Sequence, residues 1–549
     1  MPLIDRTQDF IKETLASHIA AKYQHTDQSK SLCAHGTRVK LLANIKHWLL
    51  SPPSNAERIF WVTGIPGSGK STLSATIVEI LRENDTPVSA QFFISRNIPE
   101  TIDPNKIIPT IAQQLARSSS TAARVLEKAL KNGYPGTRDK QVSRLLLDPI
   151  RELSKSRDVV VILIDALDEL EDAARSVKEI LSHIAPINCD LPNNVRFVIT
   201  SRPERWADIS RSKGLEHAVF RQYSLATESS VKGVHKFVVA RMGEIVTRRL
   251  GLTSNDPDWD HWLDRHQLQR LSDKANGLFH YAATALEWIE QRIVEDGTAA
   301  RRETAFEQFS VEGLEGLYES ILTSWWGGVS KPTKDNNKPA KPTKDDARRA
   351  TRLNGFKHVI GTILVIRKPL RIHEIVALLS DIPKDKFDVT NFLQQMRCVL
   401  IPGTTTSFDD ATPQMHKSFR DYITSENAPG DFKIDTMDAH FMTARSCLDI
   451  IVKAGSQGGN GKEYAVAYWH EHLREAGAKC DDERMWTLLG KMLNEEVVGV
   501  WMENRGLLYK FVCVASTGWK LLEVRQKQGE RHLTDDVYGS QRQMSKRCC

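Results

Sequence analysis

The stretch Gly64-Ile-Pro-Gly-Ser-Gly-Lys-Ser-Thr72 has the residue types and spacing to hold a chain of phosphates. Gly64, Gly67 and Gly69 let backbone N–H groups turn inward around an anion where a Cβ would clash, and Ile65, Pro66 and Ser68 complete the loop. Lys70, Ser71 and Thr72 then open a helix whose first turn adds unpaired donors and a partial positive charge. In this pattern Lys70 reaches the β- and γ-phosphates and the Ser71 hydroxyl holds Mg²⁺. The plain alternative is a glycine-rich turn with an exposed lysine.

Acidic and basic residues further along could complete such a site. Asp158-Val-Val-Val-Ile-Leu-Ile-Asp165 is an apolar run ending in a carboxylate, where open α/β sheets bind their ligands. This Walker-B pattern places Asp165 to hold Mg²⁺, and Asp168 and Glu169 to finish the metal shell or orient an attacking water. Asp168, Glu169, Glu171 and Asp172 would also favour a helix N-terminus. Arg202 ends a third apolar run, Val195-Arg-Phe-Val-Ile-Thr-Ser201, and either contacts a γ-phosphate or pairs with a surface carboxylate.

The elements that must position these residues read as alternating strands and helices. Ile59 to Val62 is a buried strand leading into the loop, and a helix follows from about 70 to 83. A strand is expected over Val88–Ile94, helices near 105–117, 121–131 and 141–155, then the two strands ending at Asp165 and Ser201, and a short strand over Ala218–Leu225. Alternation of this kind means a parallel sheet with helical crossovers on both faces. Upstream, Leu3, Phe10, Ile11, Leu15 and Ile19 mark a lead helix, which packs on the next domain or pairs with a partner helix. Val39–Leu50 is a second amphipathic helix. Downstream, Ser229–Arg249 and His261–Ile293 are strongly periodic helical stretches.

Composition sets limits on partners and compartment. The net charge of +6 arises from 75 basic and 69 acidic residues, with no long basic run interleaved with aromatics, so nothing indicates nucleic acid. The 8 cysteines are scattered without zinc spacing, which fits a reducing compartment. No apolar run approaches the roughly 20 residues of a membrane helix and no signal-peptide core is evident, so a cytoplasmic protein is expected. The ending Lys546-Arg-Cys-Cys549 has the character of a polar, basic tail or of a prenylated end.

Four segments together carry a resemblance. Gly64-Ile-Pro-Gly-Ser-Gly-Lys-Ser71, Ile164-Asp-Ala-Leu-Asp-Glu169, Ile199-Thr-Ser-Arg-Pro203 and Ala275-Asn-Gly-Leu-Phe-His-Tyr-Ala-Ala-Thr-Ala285 resemble the NACHT branch of the STAND NTPases, particularly the large fungal set. The entry segment Cys33-Ala-His-Gly-Thr-Arg38 is similar to the one preceding that domain in fungal members, and the likeness runs from about residue 30 to 425. It implies a switch in signalling of an innate-immunity-like kind, with slow Mg²⁺-dependent hydrolysis, a closed ADP form and an open ATP form that self-associates. ATP is expected over GTP, since no Asn-Lys-x-Asp tetrad occurs; the nearest string is Asn337-Lys-Pro-Ala340. A nucleotide-binding scaffold without hydrolysis, and a turnover ATPase or kinase, are the alternatives. Protein partners are not identified by the sequence.

Beyond the helical stretch, Lys331-Pro-Thr-Lys-Asp335 recurs as Lys341-Pro-Thr-Lys-Asp345 in a segment too polar to bury a core. Phe356–Ile366, Arg371–Leu379 and Phe387–Met396 read as three short helices, and Val399–Pro402 with Thr412–Met415 as a hairpin, together suggesting a winged helix. From its residues alone His416 reads as a capping or core histidine. Its setting, Gln414-Met-His-Lys-Ser-Phe419, is similar to the family's His-x-Ser-Phe motif, which implies that His416 senses the β-phosphate of ADP. Helices are expected over Thr436–Ala454, Glu463–Ala476 and Glu483–Leu493; His470 and His472 are two apart, wrong for one metal-binding face.

The expected organisation, in approximate residue numbers, is thus a lead helix (1–30), a P-loop α/β domain (31–226), a helical domain (227–327), a flexible linker (328–350), a winged helix (351–427), a helical region (428–538) and a tail (539–549). No repeat period is found after the winged helix. The chain therefore reads as a switch core without a repeat sensor, or as a shortened version of a longer chain.

Overall fold

The computed structural model describes residues 3–492 apart from 29, 52–56, 185–190, 205–219, 226–227, 297–312, 327–343, 401–407, 414, 455–460 and 478–482. Five strands form one parallel sheet: β1 (Ile59–Thr63), β2 (Ala90–Phe93), β3 (Val160–Asp165), β4 (Val195–Ser201) and β5 (Phe220–Ser224), in the order β2-β3-β4-β1-β5. Strands β1, β3 and β4 are buried along their whole length, as their largely apolar sequences suit in a sheet covered on both faces. Ile59, Trp61, Phe92, Ile162 and Phe197 enter one core, with the helices Ile107–Ser118 and Ser120–Leu130; Phe60, Val62, Phe93, Leu163 and Val198 enter the other, with Val39–Leu50 and Lys70–Glu83. This is the α/β P-loop architecture.

The lead helix covers Leu3–Leu15 and ends earlier than the run of apolar residues would allow. Ile11 and Leu15 are buried in the first of the two cores. After it the chain runs along the sheet edge, where the Phe93 N–H donates to the Tyr23 carbonyl at 2.8 Å and the Gln28 side chain donates to the Phe93 carbonyl at 2.6 Å. These bonds use polar groups that an edge strand would otherwise leave open.

The chain divides into two compact units, Met1–Leu317 and Tyr318–Cys549. In the first, the periodic stretch from 261 to 293 is broken into Trp259–Trp262, Arg265–Ala275 and Phe279–Asp296. The break has a local cause: Asn276 (φ 43°) and Gly277 (φ 81°) are left-handed and end the preceding helix. Asp264 starts that helix by accepting the Gln267 N–H at 3.0 Å.

In the second unit the three expected short helices are present as the end of Lys344–Val365, Ile372–Leu378 and Val389–Gln395. Two expectations differ. Val399 and Leu400 are not a strand but belong to a helical turn, Arg397–Leu400, whose N–H groups bond the Met396 carbonyl; a short buried apolar run does not distinguish the two. No strand is found over Thr412–Met415 among the described residues, and the tip of the expected hairpin lies outside them. Helix also begins at Lys344, inside the segment expected to be a flexible linker, while 328–343 lie outside the described residues. Trp325, Phe356, Phe392 and Phe432 form an aromatic core, with ring centroids of neighbours 5.2–6.5 Å apart. The helices Thr436–Ala454 and Lys462–Ala476 pack together, and Glu483–Met492 follows. The expected helical continuation from 493 and the terminal tail with Cys548 and Cys549 lie outside the described residues. Among the described residues no helix is long and apolar enough to cross a membrane, and no group of three or more His, Cys, Asp or Glu is placed to hold a metal on its own.

Candidate nucleotide site

Strand order assembles the site. β4 lies between β1 and β3 with Thr63 paired to Ser201 and Ile164 to Ile199, so the carboxyl ends of three neighbouring strands open at one end of the sheet. The glycine-rich loop leaves β1, Asp165 ends β3, and Thr200 to Arg202 end β4. The Gly64 N–H donates to the Ser201 carbonyl at 3.2 Å, tying the root of the loop to β4.

The loop from Gly64 to Gly69 leads into the helix Lys70–Glu83, with Gly69 left-handed at its start. Gly67 is required twice over: its φ is 78°, and a Cβ there would lie 2.9 Å from Cβ of His280. Ile65 is exposed, Pro66, Gly67 and Gly69 are half-buried, and the Ser68 hydroxyl is buried with no hydrogen-bond partner. Ser71 and Thr72 are half-buried in the first helical turn. Lys70 folds back over the loop, its Nζ donating to the carbonyls of Gly64 at 2.6 Å and Ile65 at 3.2 Å. Desolvation lowers the Lys70 pKa from its ordinary value, and the nearby carboxylates of Asp168, Asp165 and Glu169 oppose that shift.

Asp165 is fully buried. Its Oδ1 accepts the Ser74 hydroxyl at 2.8 Å and the Thr200 hydroxyl at 2.7 Å, while Oδ2 is buried with no hydrogen-bond partner. A buried carboxylate oxygen left open beside a glycine-rich cradle fits an Mg²⁺–nucleotide, with Ser71 and Asp165 as the residues that would hold the ion. Asp168 takes a different part: its Oδ1 accepts the Arg202 N–H at 3.1 Å and its Oδ2 pairs with Arg202 Nε at 3.3 Å. Of the alternatives for Arg202, carboxylate pairing is the geometry seen, although the carboxylate belongs to the site and not to the outer surface. Glu169 Oε2 accepts the Arg96 N–H at 3.1 Å, fastening the loop after β2.

His416 caps the helix Lys417–Thr424: its Nδ1 accepts the Ser418 N–H at 3.2 Å and lies 2.6 Å from the Ser418 hydroxyl, which is 2.8 Å from the Tyr318 hydroxyl. The capping alternative is therefore the local geometry; His416 lies in the second unit and the glycine-rich loop in the first.

Sequence reasoning passed over Ser74 and Thr200, which orient Asp165. Ser74 sits one helical turn beyond Ser71, on the face toward the sheet, and an i, i+3 serine after the loop was the available signal. It also passed over Arg38 as a loop contact; Arg38 Nη2 donates to the Ser68 carbonyl at 2.7 Å. His280, half-buried against Gly67, donates its backbone N–H to the Gly67 carbonyl at 3.0 Å, and desolvation pushes its imidazole down to about 4.

A family model described as Nephrocystin 3, N-terminal, matches residues 36–202. The Vegetative incompatibility protein HET-E-1 of Podospora anserina is 22% identical over 385 residues, which are 67% of this chain and 24% of that protein. The chain thus spans about a quarter of the length of that curated relative. Among solved structures, the Walker-type ATPase PABY2304 of Pyrococcus abyssi is 14% identical with a TM-score of 0.33, covering 71% of this chain and 97% of that one. The ORC2 protein of Aeropyrum pernix in its ADP form is 12% identical with a TM-score of 0.30, covering 69% and 88%.

Proposed function

We infer that this NACHT- and STAND-like chain is a nucleotide-dependent switch that binds ATP or ADP with Mg²⁺, hydrolyses ATP slowly and self-associates in its ATP form. The observation that carries the reading is the meeting of the glycine-rich loop, Lys70 and the open Oδ2 of buried Asp165 at the ends of adjacent parallel strands. Mg²⁺, when held by Ser71 and Asp165, would supply positive charge against the charge that develops on the phosphates. The chain's own residues do the rest. Lys70 exchanges its two carbonyl contacts for phosphate oxygens, Ser74 and Thr200 hold the Asp165 carboxylate in one orientation, and Arg202, steadied by Asp168, supplies a second cation. Glu169 is the candidate for orienting water. His416 is the candidate reporter of the bound nucleotide, on the strength of the resemblance around it.

The test is nucleotide binding by the whole chain freed of bound nucleotide. Wild-type protein should bind ADP and ATP in an Mg²⁺-dependent manner, ATP more tightly than GTP. Lys70→Ala should weaken binding at least tenfold, since a charge-assisted contact is worth about 1.5–3 kcal/mol. Equal binding by both proteins, or none by wild type, would defeat the reading. The scaffold alternative draws on one observation: Asp168 and Glu169 are both engaged in holding other parts of the chain. A Glu169→Gln variant with unchanged hydrolysis and retained binding would favour it.

A further inference from the structure

In a phosphate loop the N–H groups face the anion, so the loop's carbonyls face outward and need donors from elsewhere. Two such carbonyls are supplied here from outside the loop. Gly67 O accepts the backbone N–H of His280, the second residue of the helix Phe279–Asp296, and Ser68 O accepts Nη2 of Arg38 from the entry segment. Arg38 is itself seated on the helical part of the unit. Its Nη1 reaches the Ser230 hydroxyl at 3.3 Å, and its guanidinium carbon lies 5.1 Å from the centre of the Phe279 ring. Ser230 belongs to the helix Glu228–Leu250, and its hydroxyl donates to the Leu225 carbonyl at 2.5 Å, just after β5. Close packing supports the same junction: a Cβ at Gly277 would lie 3.3 Å from Ser230, and one at Gly69 would lie 3.9 Å from Phe279.

The backbone of Arg38 is also unusual. It is left-handed, with φ 54°, at the start of Val39–Leu50, a conformation that costs a non-glycine residue about 1 kcal/mol and persists only where the surroundings enforce it. The partners of its guanidinium are a carbonyl, a hydroxyl and a ring face, and no carboxylate is among them in the described residues. Such a cation is placed for geometry and not for an ion pair, and the planar fork of arginine can serve a loop carbonyl and a neighbouring hydroxyl together where a lysine cannot.

We propose that Arg38 is a positioning residue that couples the phosphate loop to the docking of the segment Gly277–His280: one arm holds Ser68 O while the rest of the guanidinium holds the helical part in place. Moving the helices away removes the His280 donor from the loop and the Ser230 and Phe279 contacts that seat Arg38 on Ser68 O, and loosening the loop frees the helices. Nucleotide affinity and helical docking therefore report on one another. The coupling rests on the nucleotide reading of the loop given above, but the docking half of it does not.

The experiment compares the whole chain with Arg38→Ala and Arg38→Lys. Hydrogen exchange is followed at residues 277–283 without nucleotide, and a fluorescent ADP analogue is titrated with Mg²⁺. Arg38→Ala should raise exchange of the His280 amide and its neighbours about tenfold and weaken ADP about tenfold, and Arg38→Lys should restore at most a small part of either. Exchange identical to wild type in Arg38→Ala, or full restoration of both readouts by lysine, overturns the proposal. If wild type binds no nucleotide, the nucleotide reading fails while the exchange result still decides the docking. If Arg38→Ala does not fold, Phe279→Leu removes the ring face from the opposite side. It should raise exchange in the same segment and weaken ADP, and failure to do both also overturns the proposal.

Discussion

Replacing Thr200 by valine removes one hydroxyl and keeps the shape of a buried β4 side chain. Two hydrogen bonds disappear with it. Thr200 Oγ1 donates to Asp165 Oδ1 at 2.7 Å and accepts the Ala166 N–H at 2.8 Å, and Ala166 is itself left-handed at φ 60°. A hydrogen bond to a carboxylate contributes about 1.5–3 kcal/mol, and a buried amide left without an acceptor costs about 1–3 kcal/mol. Thr200→Val should therefore destabilise the sheet by about 2.5–6 kcal/mol. Ser74→Ala removes a 2.8 Å bond to the same oxygen and orphans no backbone group, so it should cost only about 1.5–2 kcal/mol. The two losses should not add, because they share one acceptor oxygen. The assay is equilibrium urea unfolding of the two variants and the double variant without nucleotide, followed by circular dichroism. Equal costs for the two single variants within about 0.5 kcal/mol, or a Thr200→Val cost below about 1 kcal/mol, would refute the reasoning, since the orphaned amide is what separates them.

Two further expectations follow from single positions. Gly67→Ala meets both a left-handed backbone and the His280 Cβ at 2.9 Å, whereas Gly36→Ala, at φ 75°, meets nothing within 4 Å. Each should lose about 1 kcal/mol of stability from backbone strain, but only Gly67→Ala should also weaken ADP binding at least tenfold in a titration. In the second unit, His440 and His472 bring their Nδ1 atoms to 2.8 Å, and desolvation lowers them to about 4 and about 3. Both pKa values are depressed on folding, so the folded state binds fewer protons than the unfolded one between pH about 6.5 and those values, and stability falls as pH drops through that window. By pH 5 the fully buried His472 ring should cost about 2 kcal/mol in urea unfolding, the partly exposed His440 less because solvent screens it, and His472→Phe should flatten that dependence.

What the sequence determined by itself were the features whose cause is local. The largely apolar runs ending in Thr63, Asp165 and Ser201, rich in β-branched and aromatic residues and bounded by loop residues, read as buried parallel strands, and glycines at 64, 67 and 69 before Lys70 read as a tight loop opening a helix. Strand type and the loop were thus legible, and with them the residues that gather around Lys70. Other features depend on partners distant in sequence. That β4 enters between β1 and β3 is what sets Thr200 beside Asp165 and lets Asp168, not a phosphate alone, claim Arg202. The choice of helix over strand at Val399 and Leu400 was made by packing, since both options bury the same side chains. Arg38 carries no mark in sequence of the Ser68 carbonyl it serves, or of Ser230 and Phe279 some 200 residues away. Periodicity records which face of an element is buried; only the tertiary structure decides which other element buries it.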